Sequence, residues 1–227
     1  MCFEVIPIKK LSGKKQILLA FVLVIACFLF AVRALTSIPI VLFRGEAVVC
    51  LDPGHGGKSL GALSQDKKRK EQDDNLALAL RVKTALEARN VTVVMTRETD
   101  VDVSLQQRCR IANLNRADLF VSLHRNSGDN GTGMEVWICD KPSKKEEKLA
   151  GDILKGLVKA SDLPMRGVKK GYRNSSGTNY YVNANTNMPS CLVEVGFITS
   201  AADNRNFDRN LNAYAESIAD AICKNLP

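Results

Sequence analysis

The 227-residue chain has only two histidines, His55 and His124, and its seven cysteines include no CxxC pair. Any histidine-based chemistry must therefore run through those two positions. The cysteine pattern argues against a disulfide framework. Cys2 and Cys27 fall before or inside an N-terminal apolar segment, and the remaining five (Cys50, Cys109, Cys139, Cys191, Cys223) are an odd number in apolar runs. Free cysteine in such a setting behaves as a small hydrophobe, and no histidine adjoins any of them to make a nucleophile. There is also no internal repeat, no low-complexity linker and no basic strip interleaved with aromatics. The net charge of +8 thus does not indicate a nucleic-acid partner.

That charge is unevenly placed. Six basic residues and one acid lie in residues 1–44, which leaves the remainder close to balanced. Residues 16–32 (QILLAFVLVIACFLFAV) carry no charge. As a helix rising about 1.5 Å per residue they nearly cross a hydrocarbon core about 30 Å thick. Arg33 follows, but its long side chain can snorkel to the interface. Four lysines precede the span, which predicts a cytoplasmic N-terminus and an exported C-terminal part. An uncleaved anchor in the cell membrane is the expectation. The rivals are a cleaved signal peptide, for which no clean small-residue site is visible, and a lipoprotein processed at Cys27, where Phe28-Leu29-Phe30 prolongs the apolar run. The expected organisation is a basic tail and anchor over residues 1–44 and one folded domain over 45–227.

Within that domain, short apolar runs alternate with amphipathic stretches. Strands are expected at 47–51 (AVVCL), 91–95 (VTVVM), 118–123 (DLFVSL), 134–139 (MEVWIC) and 190–195 (SCLVEV), with a short one at 179–182. Helices are expected at 73–89, from the N-cap Ser104 to about 116, over 143–159 and over 211–223. The alternation implies an α/β domain with a central mixed, mostly parallel sheet covered by helices on both faces.

Both histidines stand where an apolar strand gives way to a loop: His55 in DPGHGG and His124 in FVSLHRN. Open α/β sheets gather their ligands at that edge. Two histidines so placed, with none elsewhere, point to metal binding or catalysis. Zinc needs about four ligands, one of them water in a catalytic site, so a third protein ligand is required, usually a carboxylate. Glu71 is a candidate at the mouth of the helix beginning near residue 72. Spacing alone does not choose it over Asp73 or Asp74. Glu194 interrupts an apolar run at a strand end, where a carboxylate costs free energy unless it is paired, cleft-facing or metal-bound. It is either half of a structural salt bridge or a general base beside the histidines.

Six segments then become recognisable in order: LDPGHGG at 51–57, EQDDNLALAL at 71–80, VVMTRETD at 93–100, SLQQRCRIAN at 104–113, ADLFVSLHRN at 117–126 and MPSCLVEVGFITS at 188–200. Over residues 48–222 the chain resembles the zinc-dependent N-acetylmuramoyl-L-alanine amidase family (amidase type 3). The resemblance implies one Zn²⁺ held by His55, Glu71 and His124, with Glu194 as catalytic base. It implies hydrolysis of the amide between N-acetylmuramic acid and L-alanine in bacterial peptidoglycan. Gln72, Arg125 and Ser200 stand where lysine, alanine and asparagine are common in the family. Arg125 and Asn126 are the expected substrate-binding residues. Some relatives carry an inserted helix that blocks the site until a protein activator binds. Only 15 residues separate His55 from Glu71 here, so an open site is expected and no activator is indicated. A non-catalytic wall-binding protein and a zinc peptidase acting within the stem peptide are the rival functions. Short anchored amidases of this kind are similar to those used in spore cortex formation.

Overall fold

In the computed structural model of the chain, residues 21–25, 27, 47–173 and 177–227 are described. The chain divides into two compact units, Met1–Pro39 and Ile40–Pro227. In the first unit residues 21–25 are helical. The rest of the expected anchor, and the expected boundary at 44/45, lie outside the described residues. Among the described residues no helix is long and apolar enough to cross a membrane.

The second unit is a six-stranded sheet flanked by helices. Its strands are β1 (Val48–Pro53), β2 (Thr92–Met95), β3 (Leu119–Asn126), β4 (Met134–Ile138), β5 (Met165–Lys170) and β6 (Ser190–Phe197). They lie in the order β2-β1-β3-β6-β4-β5, parallel at every pairing except β4 against β6. The helices are α1 (Glu71–Glu87), α2 (Leu105–Leu114), α3 (Lys144–Lys159), α4 (Tyr181–Asn185) and α5 (Ala201–Cys223).

Strand alternation divides the sheet into two chemically different faces. Val49, Leu51, Val121, Leu123, Cys191 and Val193 point into one core, where Leu78 and Val82 of α1, Ile153 of α3 and Ile218 of α5 meet them. Their neighbours Asp52, Ser122, His124, Leu192 and Glu194 point the other way and line a cleft. On that side α2 packs against α4. Ser104 starts α2 with a reciprocal capping box to Gln107, as its position predicts, and Ser143 does the same for α3 with Glu146.

Three expectations change. Residues 179–182 are not a strand; the chain there enters the short helix α4. The run Tyr180-Tyr181-Val182 has strand-forming residues, but α4 is tied to α2 by Asn113, whose Nδ2 donates to the Asn185 carbonyl (3.0 Å) and whose Oδ1 accepts from the Asn187 amide (2.9 Å). Tertiary contacts override local preference here. Strand β5 was not expected at all. Its sequence MRGVKK has little apolar content because it is an exposed edge, and Arg166, Lys169 and Lys170 blunt that edge against further pairing. Helix α5 begins ten residues before the expected start at 211. Its first turns bury polar Asp203 and Asn206 beside Phe207, so the apolar period that marks its later turns is absent from its start.

Candidate active site

The site is assembled from three strand ends and the first turn of one helix. In β3 His124 stands next to Glu194 of β6 in parallel register, both on the cleft side. His55 follows β1 in a loop whose backbone is left-handed at φ 62°, a conformation uncommon for a residue with a Cβ and often found where function demands it. Glu71, the first residue of α1, is turned toward both histidines. Its Oε1 lies 2.8 Å from His124 Nδ1 and 3.3 Å from His55 Nε2. One ligand atom from each of the three residues falls within 4.8 Å of the others. Asp73 and Asp74, the alternatives that spacing left open, do not join them. Asp74 is paired instead with Arg69 and Arg125.

The loop that carries His55 is braced from below by two buried arginines. Arg97 donates to the carbonyls of Pro53 (2.9 Å), Gly54 (3.0 Å) and Gln72 (2.8 Å). Arg108 donates to the carbonyls of Pro53 (2.8 Å) and His55 (2.7 Å) and pairs with buried Asp52 at 2.7 Å. Asp52 also accepts from Thr96 (2.6 Å) and Ser122 (2.7 Å). His55 Nδ1 is fixed by Ser59 Oγ at 2.9 Å, which leaves Nε2 facing Glu71. Gly54 permits the close approach of the two histidine segments: a Cβ there would lie 2.2 Å from the His124 ring.

The electrostatics separate the two glutamates. Burial alone would raise the Glu71 carboxyl, but hydrogen bonds and charge interactions with His124 and His55 hold it far below the usual carboxylate range. Its Oε2 also accepts from the Ala62 amide at 2.8 Å. Burial lowers the His124 imidazole, yet the hydrogen bond and charge of Glu71 outweigh it and the net direction is upward. Glu194 is different. Burial pushes its carboxyl up to about 7, with His124 pulling it back and Glu71 adding to the rise. Its Oε2 is buried without any hydrogen-bond partner. It is not half of a salt bridge among the described residues, the alternative that the sequence left open.

The two expected substrate-binding residues separate. Asn126 lines the cleft, with Nδ2 donating to Glu135 at 2.8 Å. Arg125 borders it too, but its guanidinium is engaged elsewhere: with Asp74, with Asn204 Oδ1 (2.7 Å) and over the Phe207 ring at 4.2 Å. Arg125 is thus held by partners within the chain. Period-two alternation is the reason, since a residue between His124 and Asn126 must face away from them. The cleft guanidinium that sequence reading missed is Arg173, in a segment without periodicity or motif. Of the other departures, Gln72 bonds Asp100 (3.2 Å) and Ser200 caps α5 by accepting from the Asp203 amide (3.2 Å). The cleft itself has a volume of about 1140 Å³. The loop from His55 to Glu71 holds two isolated antiparallel bridges and no helix that would cover it.

A carboxylate held between two histidines, with a second, unpartnered carboxylate beside them at one sheet edge, is a cluster able to hold a metal ion on an α/β sheet. Residues 49–225 match the family of N-acetylmuramoyl-L-alanine amidases, and the chain belongs to that family of peptidoglycan hydrolases. It is 35% identical over 173 residues to N-acetylmuramoyl-L-alanine amidase CwlM of Bacillus licheniformis, spanning 75% of this chain and 64% of that one. It is 34% identical over 155 residues to the sporulation-specific N-acetylmuramoyl-L-alanine amidase of Bacillus subtilis (strain 168), spanning 68% of this chain and 58% of the relative. The catalytic domain of CwlV, an N-acetylmuramoyl-L-alanine amidase from Bacillus (Paenibacillus) polymyxa var. colistinus, superposes with a TM-score of 0.71 at 32% identity, covering 78% of this chain and 97% of that domain. The chain thus spans about three fifths of the two curated relatives and nearly all of the solved catalytic domain.

Proposed function

We propose that this chain is a zinc-dependent hydrolase of the amide joining N-acetylmuramic acid to L-alanine in peptidoglycan. The observation that carries the reading is the convergence of His55, Glu71 and His124 next to the buried, unpartnered oxygen of Glu194. Two imidazole nitrogens and one carboxylate are a donor set that zinc takes in catalytic sites, with a further position left for water. A zinc ion bound there would lower the pKa of water to about 7 and polarise the scissile carbonyl.

The remaining work falls to side chains of this protein. Glu71 carries the negative charge that the site needs and is held ionised by the two histidines. Glu194 takes the proton of the attacking water and returns it to the departing amine of L-alanine. Burial raises that carboxyl, which favours its taking up a proton. Asp52, Arg97 and Arg108 keep the His55 loop in place.

The reading predicts chelator-sensitive release of intact stem peptides when the protein is incubated with purified peptidoglycan. Mass analysis should find peptides that begin with a free L-alanine amine. Peptides cut internally would replace this reading by a peptidase. Tight wall binding without release, by folded and zinc-loaded protein, would replace it by a binding protein.

The same proposal puts the catalytic unit outside the cytoplasm, held at the membrane by residues 16–32. Its support is their uncharged run and the four lysines ahead of it. Protease added to intact protoplasts should then remove the C-terminal part of the membrane-bound chain. Full protection of that part would count against the placement.

A further inference from the structure

Three arginines line the cleft, and two of them are already paired with buried aspartates: Arg108 with Asp52 and Arg125 with Asp74. Arg173 has no such partner. Among the described residues its guanidinium meets only neutral acceptors, Asn126 Oδ1 through Nη2 and the Ser127 carbonyl through Nη1 at 3.4 Å. A guanidinium carries five N–H donors, and among the described residues only two such contacts are made by Arg173, which lines the cleft.

Its position is nevertheless determined. Asn126 cannot turn freely, because its Nδ2 is bound to Glu135 (2.8 Å). Glu135 is buried and held in turn by Trp137 Nε1 (3.0 Å) and Arg166 Nε (2.9 Å). Beside this network Trp137, Tyr180 and Tyr172 form a continuous edge-to-face row, with ring centroids 5.5 and 4.8 Å apart. Tyr172 and Tyr180 line the same cleft as Arg173, and low-dielectric surface there strengthens a charged contact. An arginine held in this way, half-buried and with no ion pair among the described residues, is suited to bidentate capture of a carboxylate from outside.

We propose that Arg173 is a specificity-determining residue that binds a free carboxylate of the stem peptide, on the leaving-group side of the scissile amide. The inference rests on the amidase reading for the identity of the substrate. The side follows from chemistry: Glu194, which protonates the departing amine, is paired in strand register with Glu135, the carboxylate that holds Asn126. That register puts Asn126 and Arg173 on the side where the peptide leaves.

The test uses the full-length chain and two dipeptides, alike except that the residue after L-alanine carries a free α-carboxylate in one and a carboxamide in the other. Calorimetric binding measures both against the unaltered protein, Arg173→Gln and Arg173→Lys. The matching N-acetylmuramoyl dipeptides give kcat and KM. The unaltered protein should favour the carboxylate by roughly 10–100-fold, the range expected for charge-assisted hydrogen bonds. Arg173→Gln should lose that preference while keeping its weak affinity for the carboxamide, and Arg173→Lys should restore part of it. The loss should appear mainly in KM. Equal affinity for the two dipeptides in the unaltered protein would overturn the proposal, as would an undiminished preference in Arg173→Gln. If Arg173 acted only on Glu194, its replacement would lower turnover of both substrates alike, which also overturns it. Failure to release peptide from peptidoglycan would sink the amidase reading, whereas the binding preference is read independently of turnover.

Discussion

Replacing Glu194 by glutamine should lower turnover of peptidoglycan by about 10²–10⁴, the usual contribution of a placed acid–base group. Metal content should not change with it, because Glu194 stands outside the His55, Glu71 and His124 cluster. Glutamine keeps the shape of the side chain but cannot take up the proton of water. Folding stability should hold or rise. The native carboxylate has a buried Oε2 with no hydrogen-bond partner, and ionising such a group costs free energy that a neutral amide avoids. A variant with full activity, or one that lost its zinc along with its activity, would refute the role given to Glu194. Measuring rate, metal content and denaturation midpoint on one preparation separates those outcomes.

The second large effect concerns stability. Asp52→Asn should destabilise the domain by about 3–5 kcal/mol, the range for breaking a buried ion pair by removing one partner. Arg108 would be left charged in the interior, where it also supports the carbonyls of Pro53 and His55. In the native protein burial opposes ionisation of Asp52, but the charge of Arg108 and hydrogen bonds from Thr96, Ser122 and Arg108 outweigh it. Its folded-state pKa therefore falls below 3.8. The sign follows from that direction. A depressed carboxyl contributes its full stabilisation above about 3.8, and loses it as pH falls through the folded-state value. Denaturant titrations should thus show a large gap between the unaltered chain and Asp52→Asn at neutral pH, narrowing toward pH 2. A gap under roughly 1 kcal/mol at pH 7 would mean that the pair contributes little more than a surface contact does.

The convergence of His55, His124 and Glu194 was legible because each carries a local signature. His55 and His124 end apolar runs, and a strand end at a sheet edge is a place where side chains converge. Glu194 breaks an apolar run that otherwise feeds the core, which marks it as a residue with a cost to offset. Which acid joins the two histidines was less legible. Glu71, Asp73 and Asp74 share one helical turn, and only the orientation of α1 against β3 sends the first toward the histidines and the third toward Arg69 and Arg125.

Arg173 and strand β5 were not legible. Neither lies in a segment with helical or strand period, since the edge of a sheet and the rim of a cleft bury too little to impose one. The sequence by itself determined the class of the domain, its family and the residue types of its centre, because burial writes period and polarity into strands and helices one element at a time. Tertiary structure decided which of several equivalent charges is turned into the cleft, which arginine braces a loop and which one lines the cleft without an ion pair among the described residues. Those choices depend on contacts between residues 50 or more positions apart, such as Arg108 with Asp52 and His124 with Glu71. No local pattern carries that information.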